Sequence, residues 1–262
     1  MLASVASMID QFNMPNIRLL QSLGYHVDVV ADYKNPGNIS EERAAGLIKR
    51  LETHNAHAID IAVPRSLNPR SVISAYRKVR ELIVTEQYDL IHCHSPIGGA
   101  ITRLAARNER KKGTRVIYTA HGFHFYTGAP LKNWLVFYPI EKWLSRYTDV
   151  LITINREDYQ RAVAKFKARK TVYIPGIGVD TGKFGTGKHG DKIRKELGLN
   201  ESSIMLLSVG ELNDNKNHET VIRALGDMKT KGELPNELYY FIVGKGSKEE
   251  ELKYLINQCG LF

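Results

Sequence analysis

From Tyr25 to Ile174 the chain repeats one pattern: a short apolar run rich in Val, Ile and Tyr, then a longer stretch with apolar residues at helical spacing. After Leu2 to Val5, which reads as the end of a strand whose start is clipped, the runs Tyr25 to Ala31, Ala58 to Val63, Tyr88 to His92, Val116 to Tyr118, Val150 to Ile154 and Thr171 to Ile174 read as strands. Helices are expected from Met14 or Pro15 to Leu23, over Glu41 to Thr53, from Asn68 onward, from Gly98 to Arg107, over Leu131 to Tyr147 and over Arg156 to Phe166. Asn68 followed by Pro69 is a helix start, an N-cap residue with proline at the first helical position. Pro139 should kink the helix that holds it. Consecutive parallel strands need a helical crossover between them, so this rhythm predicts an α/β fold with a parallel sheet covered on both faces.

The pattern breaks at Pro175 to Gly190, PGIGVDTGKFGTGKHG, whose glycines and missing apolar period read as a linker between a domain at 1–174 and another at 191–262. A strand at Ile204 to Val209, the loop GELNDNKN, a helix from His218 to Lys229, a strand at Tyr239 to Val243, the loop GKGS and a helix from Lys248 to Cys259 follow. These units fall short of the ~5 to 6 strands of a doubly wound sheet. The second domain is therefore expected to be incomplete, and the chain to be a fragment of something longer.

Hydrophobic residues at 43% and charged residues at 25% are globular values and exclude a disordered tail. Cys93 and Cys259 stand far apart, which argues against a disulfide framework or a cysteine zinc cluster. No apolar run nears the ~18 residues of a membrane span, and no charged segment leads into an apolar one at the start. A cytoplasmic protein is expected. The net charge of +9 is uneven, since residues 1–174 hold 25 Lys and Arg against 15 Asp and Glu, while residues 175–262 hold 12 against 13. Arg103, Arg107, Arg110, Lys111, Lys112 and Arg115 form one basic cluster, and Arg161, Lys165, Lys167, Arg169 and Lys170 another. Such patches attract anionic lipid headgroups or nucleic acid, or are simply solvated faces.

The chemistry concentrates in RVIYTAHGFHFYTGAP, Arg115 to Pro130, where a buried strand runs into a loop with two histidines and three aromatic rings between His121 and Tyr126. Ligands of open α/β sheets sit beyond the carboxyl ends of the strands, where this loop lies. The alternative is a buried aromatic turn whose histidines satisfy backbone groups. A second pair, His92 and His94, shares one side of an extended segment, but no carboxylate or third histidine nearby completes a metal site, so no metal is expected.

In this order, YTAHGFHFYTGAPLKNW, IPGIGVDTGKF, SVGELNDNKNHETVIRAL and FIVGKGSKEEELKYL closely resemble family 4 of the retaining glycosyltransferases, over nearly the whole chain. Within that family the chain is similar to bacterial enzymes of capsular and exopolysaccharide synthesis. The resemblance implies two facing Rossmann-like doubly wound domains (the GT-B arrangement), acceptor on the first, nucleoside-diphosphate sugar, a UDP-sugar above all, on the second, and no metal or other cofactor. His121 then matches the histidine beside the transferred sugar, where a hydrogen-bond donor would meet a sugar hydroxyl as an oxocarbenium-like transition state forms. Lys216 matches the lysine on the donor diphosphate, with backbone amides near Gly210 and the following helix N-terminus beside it. Where many members read G-R-L, this sequence has Glu211, a poor phosphate ligand. The E-x7-E segment that holds the donor sugar and ribose would come after Phe262.

On the acceptor side the family places a loop after the first strand, here Ser7 to Asn13. Gln11 and Asn13 are expected to bond sugar hydroxyls and Phe12 to stack on a sugar face, while His94 at the end of the fourth strand is expected to face the same opening. The acceptor implied is a lipid-linked sugar or a saccharide, which gives the basic first domain a reason to touch the inner face of the cytoplasmic membrane. Weak donor binding and little turnover are expected of this chain. The rivals are a non-catalytic half of a split enzyme, a nucleotide-sugar epimerase of the same architecture, and a nucleic-acid binder, for which no recognition motif is present.

Overall fold

Seven parallel strands in the order β3-β2-β1-β4-β5-β6-β7 carry the first part of the chain. They are β1 (Leu2–Val5), β2 (Val27–Asp32), β3 (Ala56–Asp60), β4 (Leu90–His94), β5 (Arg115–Ala120), β6 (Val150–Thr153) and β7 (Lys170–Tyr173). The computed structural model describes residues 1–182 and 190–261, and the expected linker falls in part on residues 183–189, outside the described residues. Two compact units result, Met1–Val179 and Asp180–Phe262.

Strand alternation divides the first unit's core. Leu2 and Val30 enter one apolar cluster with Val79, Ile83, Ile101 and Leu151. Their neighbours Ala3, Val29 and Ala31 enter another with Ile17, Leu47 and Leu51. The second cluster is closed by α2 (Met14–Ser22) and α3 (Glu41–Thr53), whose Ile17, Leu47 and Leu51 are each 0% exposed and contribute about 2 kcal/mol apiece. The first is closed by α4 (Pro69–Glu86) and α5 (Pro96–Ala105), with α7 (Arg156–Lys165) adding Ala162. The Asn68 side chain caps α4, accepting from Arg70 N at 3.0 Å and Ser71 N at 3.4 Å.

Close approach fixes the two glycines that open α5. A Cβ on Gly99 would lie 2.5 Å from the Tyr118 ring, and one on Gly98 3.0 Å from Ser4 Oγ. Only glycine lets this helix settle onto the sheet. Tyr118 in turn lies under the Arg103 guanidinium, 3.9 Å from its ring centre, and Arg103 makes paired bonds of 2.9 and 3.1 Å to Glu141 of α6 (Leu131–Leu144).

Several expectations shift. The stretch after β1, expected as a loop, is helical: α1 (Ala6–Met8), then a π-helical turn over Ile9–Asn13 that runs into α2. β4 starts and ends later than expected and carries its pairing with β5 through His94. Of the two basic clusters, Arg103 is buried, Arg110 bonds the Asp149 carboxylate at 2.9 and 2.8 Å, and Arg161 pairs with Glu157 at 2.8 Å, so these serve the fold rather than a free basic patch.

The second unit contains α8 (Gly190–Glu196), which periodicity did not foretell, then β8 (Ile204–Val209), α9 (His218–Thr230), β9 (Leu238–Val243) and α10 (Glu249–Gln258). β8 and β9 pair in parallel over their full lengths. Leu212, Ile222, Leu252 and Leu255 form its small core, while Leu207 at 55%, Val209 at 72% and Val243 at 55% stand exposed.

Candidate functional site

In the first unit the neighbours of β1 are β2 and β4, so chain direction across the sheet reverses between β1 and β4. That is where open α/β sheets bind ligands, beyond the carboxyl ends of the strands. β4 ends there on His94, and β5 delivers His121 one residue past its own end.

The histidines form one connected group. His92 Nε2 lies 2.8 Å from Thr119 Oγ1, the His92 and His94 rings are 4.3 Å apart, and His94 Nδ1 lies 3.2 Å from His121 Nε2. Burial holds all three below the usual imidazole range, with His92 pushed down to about 3, His94 well below its ordinary value and His121 lowered. The three are neutral at pH 7. His94 is 2% exposed and its Nε2 is enclosed without a hydrogen-bond partner. His121 is half-buried, and its Nδ1 neither bonds another described residue nor is enclosed.

The loop after His121 is gripped from two sides. Gly122 at φ 131° and Gly128 at φ 91° take backbone shapes that side chains resist. Phe125 is fully buried, stacked on Phe123 at 4.8 Å and packed against Trp134, Tyr138 and Phe166. From α7, the Asp158 carboxylate accepts Phe123 N at 2.9 Å, and Glu157 Oε1 accepts Thr127 N at 2.6 Å and Thr127 Oγ1 at 2.8 Å. Arg161 holds Glu157 and lies 4.8 Å from the Trp134 ring centre. An aromatic floor and a carboxylate clasp thus present His121 on a fixed loop.

In the second unit the loops that follow β8 and β9 lie backbone against backbone. Gly210 N donates to Val243 O and Leu212 N to Lys245 O, both at 3.0 Å. A Cβ on Gly244 would stand 1.8 Å from Gly210 O, and one on Gly246 2.3 Å from Leu212 O. Gly210 itself leaves room for Lys216, whose Cγ would lie 3.3 Å from an added Cβ. Lys216 is exposed and its ammonium pairs with no described residue, whereas Lys248 nearby is held by Asp214 at 2.5 Å. Glu211 is exposed, and the N-terminal turn of α9 follows from Asn217, in left-handed conformation at φ 50°.

The acceptor-side expectations need correction. Asn13 is 1% exposed, and its amide donates to Met8 O at 3.0 Å while its Oδ1 accepts from Asn16 at 3.1 Å, because the segment is helical and turns Asn13 inward. His94 stands behind His121 rather than at the opening. Gln11 and Phe12 are exposed on the π-helical turn, Phe12 at 39%. Sequence reasoning missed Thr119, Glu157 and Asp158. Only the Asn155 cap, which accepts Asp158 N at 2.8 Å, left a local trace of them. Among the described residues, no group of three or more His, Cys, Asp or Glu is placed to hold a metal ion, and no helix is long and apolar enough to cross a membrane.

The family model described as "Glycosyl transferase 4-like domain" matches residues 14–176, and that described as "Glycosyl transferases group 1" matches residues 190–261. The chain is 38% identical over 252 residues to "Putative glycosyltransferase EpsD" of Bacillus subtilis (strain 168), covering 95% of this chain and 61% of that protein. It is 31% identical over 188 residues to the Escherichia coli "UDP-Gal:alpha-D-GlcNAc-diphosphoundecaprenol alpha-1,3-galactosyltransferase", covering 71% of this chain and 46% of that one. The chain thus spans less than two thirds of either relative. The crystal structure of WaaG, a glycosyltransferase involved in lipopolysaccharide biosynthesis, shares the fold at a TM-score of 0.63 and 14% identity, covering 100% of this chain and 68% of that one. With the strand order above and both family models matched in sequence order, the chain belongs to the family 4 glycosyltransferases of GT-B type.

Proposed function

We propose that the chain takes part in retaining transfer of a sugar from a nucleoside-diphosphate donor, a UDP-sugar, to a lipid-linked or saccharide acceptor during cell-surface polysaccharide synthesis. The Escherichia coli relative's name, with its UDP-linked donor, diphosphoundecaprenol acceptor and alpha linkage, supports this choice of donor and acceptor. The observation that carries the reading is His121, a neutral imidazole with one ring nitrogen anchored and the other accessible, at the carboxyl end of β5. A neutral donor bonds a sugar hydroxyl without repelling the positive charge that grows on the ring in the transition state.

Lys216 serves the other half of the reaction. As the sugar leaves, negative charge gathers on the nucleoside diphosphate, and an ammonium with no partner among the described residues is free to meet it. The backbone N–H groups of His218 and Glu219, which open α9 with no partner among the described residues, add to this. No metal enters the scheme. Isothermal titration with UDP tests it: heat is expected at millimolar UDP and is lost in Lys216→Ala, and no heat from the unaltered chain overturns the donor assignment.

For the lipid-linked acceptor we assign α6 as the approach surface. Leu131 at 74% and Leu135 at 69%, with Val136, Ile140 and Trp143 also exposed, lie among the exposed Lys132, Lys142 and Arg146. Apolar and basic side chains together fit an anionic lipid surface.

A further inference from the structure

His94 presents a problem of proton placement. Its ring is 2% exposed, its Nδ1 faces His121 Nε2 at 3.2 Å, and its Nε2 is enclosed with no partner. A neutral imidazole carries one proton, so the shared contact has a single direction, and that direction sets the tautomer of both rings.

If His121 donated through Nε2, His94 would carry its own proton on Nε2, a buried N–H with nothing to receive it. If His94 donates through Nδ1, its enclosed Nε2 keeps only a lone pair. Orphaned buried N–H groups are the rarer and costlier arrangement. The second direction leaves the His121 proton on Nδ1, which has no partner among the described residues and is accessible. Burial keeps both rings neutral, so no extra proton blurs the choice.

We infer that His94 is a positioning residue that donates from Nδ1 to His121 Nε2, holding His121 in the Nδ1–H tautomer with its donor turned outward toward an oxygen of a bound sugar. His94 itself touches no substrate. Thr119, on the strand that delivers His121, sits against His92 at 2.8 Å and completes the row of rings behind it. A solvent-exposed histidine would be free to exchange tautomers, whereas this one is fixed before any ligand arrives. Only the purpose of the donor rests on the transferase reading; the tautomer does not.

The experiment is long-range 1H–15N correlation on the 15N-labelled full chain near pH 7.5, with His121→Gln used to assign the His121 ring among the nine histidines. Without any ligand, His121 is expected to show its protonated nitrogen as Nδ1. In His94→Asn, whose side-chain amide places a donor near the original Nδ1, that pattern is expected to persist. In His94→Leu it is expected to change to Nε2–H or to an exchange-averaged pair. A wild-type His121 protonated at Nε2, or an unchanged pattern in a folded His94→Leu, overturns the inference. Should His94→Leu fail to fold, the wild-type spectrum alone decides. Loss of the UDP reading by titration would leave this spectrum untouched, so the two ideas fail separately.

Discussion

Asp158, in the first turn of α7, accepts the backbone N–H of Phe123 at 2.9 Å and also takes the Asn155 amide at 2.7 Å. One buried carboxylate therefore joins the start of a helix to the loop that carries His121. Asp158→Ala leaves the Phe123 N–H without its acceptor, and a loss of about 1 to 3 kcal/mol in urea unfolding is expected. Amide exchange at Phe123 should accelerate ahead of exchange in β5. If exchange there stays at the wild-type rate, the clasp does not hold the loop.

Gly244 is the equivalent tie in the second unit. With a backbone carbonyl 1.8 Å from any added Cβ, Gly244→Ala must push the Gly210 and Gly244 loops apart. UDP affinity is expected to fall tenfold or more, about 1.4 kcal/mol, in the same titration that tests Lys216. An unchanged affinity would detach this loop pair from the donor.

Acid should act on the histidine row before it acts on the clasp. His92, His94 and His121 are held below 6.5 by burial, so the unfolded chain binds more protons than the folded one under mild acid. The stability tied to keeping these rings neutral is complete above about pH 6.5 and declines as pH falls toward 3, where His92 titrates. Urea midpoints between pH 7.5 and 4.5 measure it. Replacing His92 with Gln should flatten the slope, and a profile equally steep in that variant would refute the cause given.

Glu157 behaves in the opposite chemical sense but with the same sign. Hydrogen bonds from Arg161 and Thr127 hold its carboxyl down to about 2, so its contribution is present above its ordinary 4.5 and lost as pH falls through about 2. Carboxyl 13C titration reads this directly. A midpoint near 4.5 would mean that the Thr127 contact does not persist in solution.

The α6 face makes a prediction for lipid. Sedimentation with vesicles containing anionic lipid is expected to carry the chain down at low salt, less so in 0.5 M salt at roughly a 4 Å screening length. Leu131→Ser with Leu135→Ser should reduce it further. Binding that survives both changes would place the contact elsewhere.

How much of this could be read from letters alone depended on the range of each interaction. The alternation of Val-rich runs with amphipathic stretches fixed strand and helix because both signals are local, and Asn68-Pro69 marked a helix start through contacts two and three residues away. His121 was legible because a strand end followed by His-Gly is local too. What sequence could not reveal was distance in the chain closed by folding. Asp158 reaching Phe123, Glu157 reaching Thr127 and Arg103 reaching Glu141 each span more than a helix, and nothing in the intervening letters marks them. The burial of Asn13 and His94 was hidden for a related reason. Asn13 closes the π-helical turn after β1 and His94 ends β4, places where loop and helix, or front and back row, differ by a turn of backbone that composition does not encode.

The parallel pair β8 and β9 has a practical side. Leu207, Val209 and Val243 bare hydrocarbon on a sheet that has two strands among the described residues, and such surfaces find one another. Purification at high concentration should therefore drive self-association through the second unit, which Leu207→Ser with Val209→Ser is expected to reduce.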